Sequence, residues 1–282
     1  MGPDAIPPDS SCSRMQKLWD SPCCQWTAAN LLTSAQSPSD KARLLASTEL
    51  TSGAWLKAVP LPSLGLKLDD DSVRIAVGLR LGVNICAAHE CICGAKVDCQ
   101  GTHDLACRFS AGRHSRHSML NDIICRSLQR AQIPAVKEPN GLCRSDGKRP
   151  DGVTMIPWSR GRCMAWDVTV VDTLAPSHVT DSSSSAGSAA VKAEGIKTAK
   201  YASLAQTHVF IPLALETMGA WGQQCTDFVT DLGRRLTAVS GEKREPSFLR
   251  QRISMAVQRG NALACRGTLP TDSLTDHSSP TD

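Results

Sequence analysis

The chain has 282 residues, 41% hydrophobic and 4% aromatic, enough for one large domain or two modest ones with a largely aliphatic core. Its net charge is a mild +4, and no apolar run approaches the ~18 residues a helical membrane span needs, which excludes a helical membrane protein. Thirteen cysteines without a charged-then-apolar leader point to an intracellular chain, where clustered thiols favour metal over disulfides.

Residues 1–15 are rich in Pro, Ser and Asp and are expected to be disordered. The region 16–85 reads as helical and irregular. Helices are expected near Trp26–Leu32 and over Ser39–Ser47, the second capped by Ser39. Ala54–Leu68 reads as a Pro-punctuated loop or a short strand pair. Asp69, Asp70 and Asp71 then precede a buried helix over Ser72–Leu81, where they suit the positive end of its dipole.

Residues 86–107 hold a cysteine–histidine cluster, CAAHECICGAKVDCQGTHDLAC. Cys91, Cys93, His103 and Cys107 make a Cys-Cys-His-Cys set, and three thiolates with one imidazole suit tetrahedral Zn²⁺. Gly94 and Gly101 give the backbone room to wrap an ion. Cys86, His89 and Cys99 remain spare candidates, and a Cys-rich loop without metal fits the same residues.

Next, Arg113-His114-Ser115-Arg116-His117 leads into an amphipathic helix with Leu120, Ile123, Ile124, Leu128 and Ala131 on one face. Ile133–Val136 reads as a strand. After the loop Asn140–Gly147 comes KRPDGVTMIPWSRGRCMAWDVTVVD, Lys148–Asp172. Gly152–Pro157 and Cys163–Val171 read as adjacent strands joined at Trp158–Gly161. Asp151 opens the first and Asp167 sits inside the second. A carboxylate among Val, Ala and Trp is costly to bury alone, and a facing pair repels unless it shares a cation such as Mg²⁺. The bare pair also fits a hairpin with one turn aspartate and one edge aspartate.

Thr173–Ser188, with four consecutive serines, reads as a flexible connection. A helix follows over Ala189–Ala205, with Glu194, Lys197 and Tyr201 on one face and Lys200 a step round. Val209–Leu215 is a strand ending at Glu216. Helices are expected over Gln223–Val239 and Ser247–Arg259 within 217–266, and 267–282 reads as a disordered tail. Helix, three strands, helix and strand in that order predict an α/β class with a mixed sheet. Arg108–Arg130 and Arg234–Arg266 are basic stretches suited to a polyanion or to a solvated helix face.

In their fixed order, the Cys-Cys-His-Cys set, Arg116-His117, Arg149-Pro150-Asp151, Asp167, and Lys197, Lys200 and Tyr201 resemble the restriction-like PD-(D/E)xK endonucleases. More narrowly, they are similar to the C-terminal end of polyproteins from site-specific non-LTR retrotransposons. The resemblance spans Cys86 to about Glu216. It implies a restriction-endonuclease-like mixed sheet flanked by helices, with a nuclease core over 113–216 and a small zinc knuckle. It further implies Mg²⁺ (or Mn²⁺) on Asp151 and Asp167, nicking of target DNA, contact with element RNA, and a nuclear location. The pattern's usual lysine slot, two residues after the second acid, holds Thr169, so Lys197 or Lys200 is the replacement. Glu138 matches an extra acid, or a strand-end residue in water. Lys148 and Arg149 would clamp a phosphate, and Arg116, His117 and the knuckle would grip backbone. No reverse-transcriptase motif is present. A non-cleaving nucleic-acid-binding module or transposon relic of this fold, and a zinc-stabilised protein-interaction domain, remain as alternatives.

Overall fold

The computed structural model describes residues 16–142 and 147–268. The segments 1–15 and 269–282, where disorder is expected, lie outside the described residues. Gly267 and Thr268 are ordered, contrary to the expected tail: Thr268 is buried, and its Oγ1 donates to the Cys265 carbonyl at 2.9 Å.

Helix α1 spans Gln16–Ser34 and runs through Pro22, longer than the expected Trp26–Leu32. Helix α2, Pro38–Thr48, is capped by Ser37 rather than Ser39: Ser37 Oγ accepts the Asp40 amide at 3.0 Å. Pro38 explains the shift, because its fixed φ suits a first helical turn and its missing N–H costs nothing there. Ala54–Leu68 forms no strand pair. It folds into 3-10 turns at Ala54–Lys57 and Pro62–Leu64, consistent with prolines that remove ladder donors. Helix α3, Asp70–Leu81, starts at Asp69, whose carboxylate accepts the Ser72 amide at 2.9 Å.

Strands β1 (His89–Glu90) and β2 (Lys96–Val97) form a small antiparallel ribbon. Helix α4 covers Ala111–Arg130. The main sheet has the order β3-β4-β5-β6, from Ala135–Lys137, Gly152–Thr154, Met164–Val171 and Val209–Glu216. β3, β4 and β5 are antiparallel in sequence, whereas β5 and β6 run parallel. A parallel neighbour needs a crossover, supplied by α6, Ser188–Lys200, which packs on β5 and β6. The chain is therefore α/β with a mixed sheet.

The sheet alternates as a pleated strand must. Met164, Trp166 and Val168 point into the main core with Leu120, Ile124 and Leu128 of α4. Helices α7 (Gln223–Ser240) and α8 (Glu245–Arg266) complete that core through Phe228, Leu232, Leu249 and Ile253. Ala165 and Asp167 have the opposite parity, toward the face that α6 covers.

The serine-rich connection is ordered, not flexible. It contains the short helix α5, Val179–Ser182, which contacts α2. Thr173 is fully buried and its Oγ1 donates to Glu216 Oε2 at 3.1 Å. Helix α6 ends at Lys200, short of Ala205, and α8 extends past both ends of the expected Ser247–Arg259. No helix among the described residues is long and apolar enough to cross a membrane.

Candidate functional site

The β4–β5 hairpin sets the site. Its register pairs Gly152 with Trp166 and Val153 with Ala165, so Asp151 and Asp167 stand opposite each other one pair beyond the ladder. Opposite residues of an antiparallel pair share a face. The Asp151 amide donates to the Trp166 carbonyl at 2.9 Å. Its Oδ2 accepts the Val168 amide at 2.6 Å and His117 Nε2 at 2.9 Å. Asp167 Oδ1 accepts Lys197 Nζ from α6, and the Asp167 side chain is only 5% exposed.

The hairpin end is pinned from below. A Cβ on Gly152 would lie 2.0 Å from Trp166 Cζ2, so the indole packs where only glycine leaves room. Trp166 Nε1 donates to Asn121 Oδ1 at 2.8 Å, and Asn121 Nδ2 donates to the Asp151 carbonyl at 3.2 Å. Asn121 follows His117 by one helical turn of α4, so both reach the same strand end. Sequence reasoning missed Asn121 and Trp166 as site supports; the i, i+4 spacing from His117 was the available signal.

The lysine alternatives separate. Lys197 reaches Asp167, whereas Lys200 Nζ donates to Tyr201 Oη at 3.3 Å and lies 4.7 Å from that ring's centroid. Tyr201 is buried, stacks on Phe210 and donates to the Arg149 carbonyl at 2.9 Å, which ties α6 to the strand entry. Glu138 pairs with Arg149 on the rim and is exposed, oriented to that guanidinium. His117, Glu138, Lys148, Arg149, Asp151, Asp167, Thr169, Lys197 and Lys200 together line one open hollow of about 480 Å³.

Hydrogen bonding to Asp151 raises the His117 pKa above its ordinary 6.5, with burial opposing. This favours the imidazolium and keeps its donor role.

Arg116 does not join the hollow. It is 1% exposed, with Nη1 donating to Asn261 Oδ1 at 2.8 Å and Nη2 to the Leu105 carbonyl at 2.6 Å. Burial pushes its pKa down to about 10. A guanidinium sealed this way does not grip a nucleic-acid backbone. The expectation for Arg116 is corrected to a strut joining α4, α8 and the knuckle.

In the knuckle, the ligand atoms of Cys91, Cys93, His103 and Cys107 lie within 4.8 Å of one another. Cys91 and Cys107 sulfurs are 3.6 Å apart, and Cys93 Sγ is 3.3 Å from His103 Nε2. Edges of a tetrahedron with zinc bonds of about 2.0–2.3 Å are about 3.3–3.8 Å long, so the four residues fit an ion. Gly94, at φ +83°, makes the turn after Cys93. The spare candidates fall outside the set: Cys86 Sγ meets the Asp98 and Cys99 carbonyls, and His89 Nδ1 meets the Ala87 carbonyl. The cluster could hold a metal ion, and its soft donors match Zn²⁺.

No family model matches this chain, and no curated protein matches it.

Proposed function

We propose that the chain is a metal-dependent phosphodiesterase domain of the restriction-like, PD-(D/E)xK class. Within that class, we read it as a DNA-nicking domain like that at the C-terminal end of site-specific non-LTR retrotransposon polyproteins. The observation that carries the reading is the cross-strand pair Asp151–Asp167 with the Lys197 ammonium on Asp167 in one open, basic-rimmed hollow.

Two facing carboxylates are the hard oxygen donors that Mg²⁺ or Mn²⁺ takes, and Asp151 and Asp167 would hold it. Bound there, such an ion supplies Lewis acidity to a phosphate oxygen and a more acidic water. Lys197 brings a positive charge to the same place and offsets charge that grows on the phosphate in the transition state. Lys148 and Arg149, on the rim, hold a neighbouring phosphate, and Lys200 extends the positive wall. His117 and the Val168 amide fix the orientation of Asp151. The zinc-bearing knuckle braces α4 through the Leu105–Arg116 bond. Target DNA and element RNA are the partners of this reading, and acting on chromosomal DNA requires a nuclear location.

A second reading has its own observation. Lys197 already pairs with Asp167 and His117 already donates to Asp151, so both acids have partners without a metal, as in a non-cleaving nucleic-acid-binding module. Plasmid nicking in Mg²⁺ and in Mn²⁺ separates the two. Nicking should be abolished in Asp151→Asn and Asp167→Asn, and both variants nicking at the wild-type rate would end the endonuclease reading. Salt-sensitive DNA binding with no turnover in any divalent ion would support the module instead.

A further inference from the structure

We infer that the ring of Phe109, beside the knuckle, is a stacking platform for an unpaired nucleobase, and that this face of the chain takes single-stranded nucleic acid. The inference goes beyond the cleavage reading. It assigns a second contact surface, outside the hollow, and needs neither Asp151 nor Asp167.

The argument begins with two apolar side chains left in water. Phe109 is 54% exposed and Ile92 is 68% exposed. Ile92 lies between Cys91 and Cys93, and Phe109 follows Cys107 by two residues. The Cys91 and Cys107 sulfurs are 3.6 Å apart, so the two segments leave the same corner of the knuckle. The backbone that carries Phe109 is fixed. The Ser110 amide donates to the Cys107 carbonyl at 3.1 Å, and Ser110 caps α4, its Oγ accepting the Gly112 amide at 3.3 Å. A ring on a fixed backbone loses little freedom when a base stacks on it.

Charge selects the occupant. The Arg108 guanidinium lies over the Phe109 ring, 4.7 Å from its centroid. Arg113 and His114 follow in the first turn of α4, and both are exposed. Arg108 and Arg113 pair with no acid among the described residues. The acids of the knuckle are engaged or buried: Glu90 stands opposite Lys96 in the ribbon, Asp98 Oδ1 accepts the Gln100 amide, and Asp104 is sealed from water. From Leu105 to Asn121 the sequence holds no acid. An aromatic ring among such cations suits a strand whose bases stack on the ring while its phosphates meet the charges. A duplex keeps its base faces in its own stack and offers this surface its phosphates alone. Arg113 and His117 are one turn apart on α4, so the cations beside the platform lead to the rim of the hollow.

The test uses the full chain with zinc in its knuckle and labelled probes of about 12 nucleotides, read by fluorescence anisotropy. The probes are a single strand, the same strand in duplex, and a strand that is abasic throughout; DNA and RNA forms of the single strand distinguish the two sources. Phe109→Leu keeps an apolar side chain and loses the ring. It should bind the single strand on the order of 5-fold or more weaker, and change the duplex and the abasic strand less than about twofold. Phe109→Trp should keep the wild-type affinity. The salt slope should be the same in both variants, because the phosphate contacts stay. Both should keep the zinc content and Tm of the wild type, because the ring is exposed. Single-strand affinity unchanged in Phe109→Leu, or wild-type chain binding the abasic strand as tightly as the base-bearing one, overturns the platform and returns the patch to an apolar protein contact. Equal weakening of duplex and single strand in Phe109→Leu overturns it as well. Failure of the wild-type chain to bind any probe at low salt overturns the inference together with the nucleic-acid partner it assumes.

Discussion

Replacing Arg116 with methionine should weaken the fold, not a nucleic-acid contact. Methionine keeps much of the apolar stem and deletes the guanidinium. Its loss strands two buried acceptors, the Leu105 carbonyl and Asn261 Oδ1, now met at 2.6 and 2.8 Å. Each stranded acceptor costs about 1–3 kcal/mol. Part is recovered because the buried charge is itself held at a cost, as a pKa lowered to about 10 indicates. The net loss is on the order of 2–4 kcal/mol, or about 5–15 °C in Tm for a chain of this size. Thermal melts followed by far-UV circular dichroism measure it. The salt dependence of DNA binding, compared at a temperature where both proteins are folded, should keep its slope. Loss of a phosphate contact would reduce that slope by about 0.9. An unchanged Tm, or an unchanged Tm with a reduced slope, would refute the strut and return Arg116 to the surface.

Gly152→Ala places a methyl 2.0 Å from Trp166 Cζ2 and drives the indole off Asn121. It should lower the urea midpoint by an equivalent of about 2–4 kcal/mol, and a wild-type midpoint would mean the strand end is slack. The purified chain should carry one zinc, held by Cys91, Cys93, His103 and Cys107, by elemental analysis. Chelation should first raise amide exchange around the knuckle and then in the first turns of α4; zinc-free protein with unchanged exchange would contradict this. Burial raises the Glu216 pKa above its ordinary 4.5. Its folded form therefore holds the proton more tightly than the unfolded chain does, and stability falls as pH rises from about 4.5 through the raised value. Glu216→Gln lacks that proton, so its Tm relative to wild type should climb across the same window; a constant difference would refute the linkage.

The order of helices and strands from α4 to β6, and the places of the two acids on adjacent strands, were legible because alternation and a crossover helix have short-range signatures. The fate of Arg116 was not. An arginine beside a histidine in a basic run looks like a polyanion contact, and its partner Asn261 lies 145 residues away. What permits its burial is a close crossing of α4 and α8: a Cβ on Gly260 would lie 1.8 Å from Arg116 Cγ, and one on Gly112 would lie 2.5 Å from the Gly260 carbonyl. Two glycines on distant helices carry no local sign of that purpose. The serine run was misread for a similar reason, since composition describes the segment and α2 and Glu216, which order it, lie far along the chain. The choice between Lys197 and Lys200 also needed coordinates, because less than one helical turn separates them and Tyr201 decides which face Lys200 takes.

Moving the ammonium from the strand to α6 changes what the site depends on. A lysine at Thr169 would share β5 with Asp167, and its reach would be set by the strand alone. Lys197 reaches Asp167 only if α6 is docked in register. Glu194, one turn earlier on α6, fixes that docking. Its carboxylate accepts the Cys225 amide at 2.9 Å and the Gln224 amide at 3.2 Å, where α7 presents unpaired N–H groups and a positive dipole end. Gly222 makes the approach possible, since a Cβ there would lie 2.2 Å from Glu194 Oε1. Glu194, Lys197 and Tyr201 thus follow one another over about two turns, the first clamping α6 to α7 and the other two meeting the hairpin end. A chain that places its cation this way loses the strict strand motif, and requires instead a helix held by buried bonds at both its neighbours.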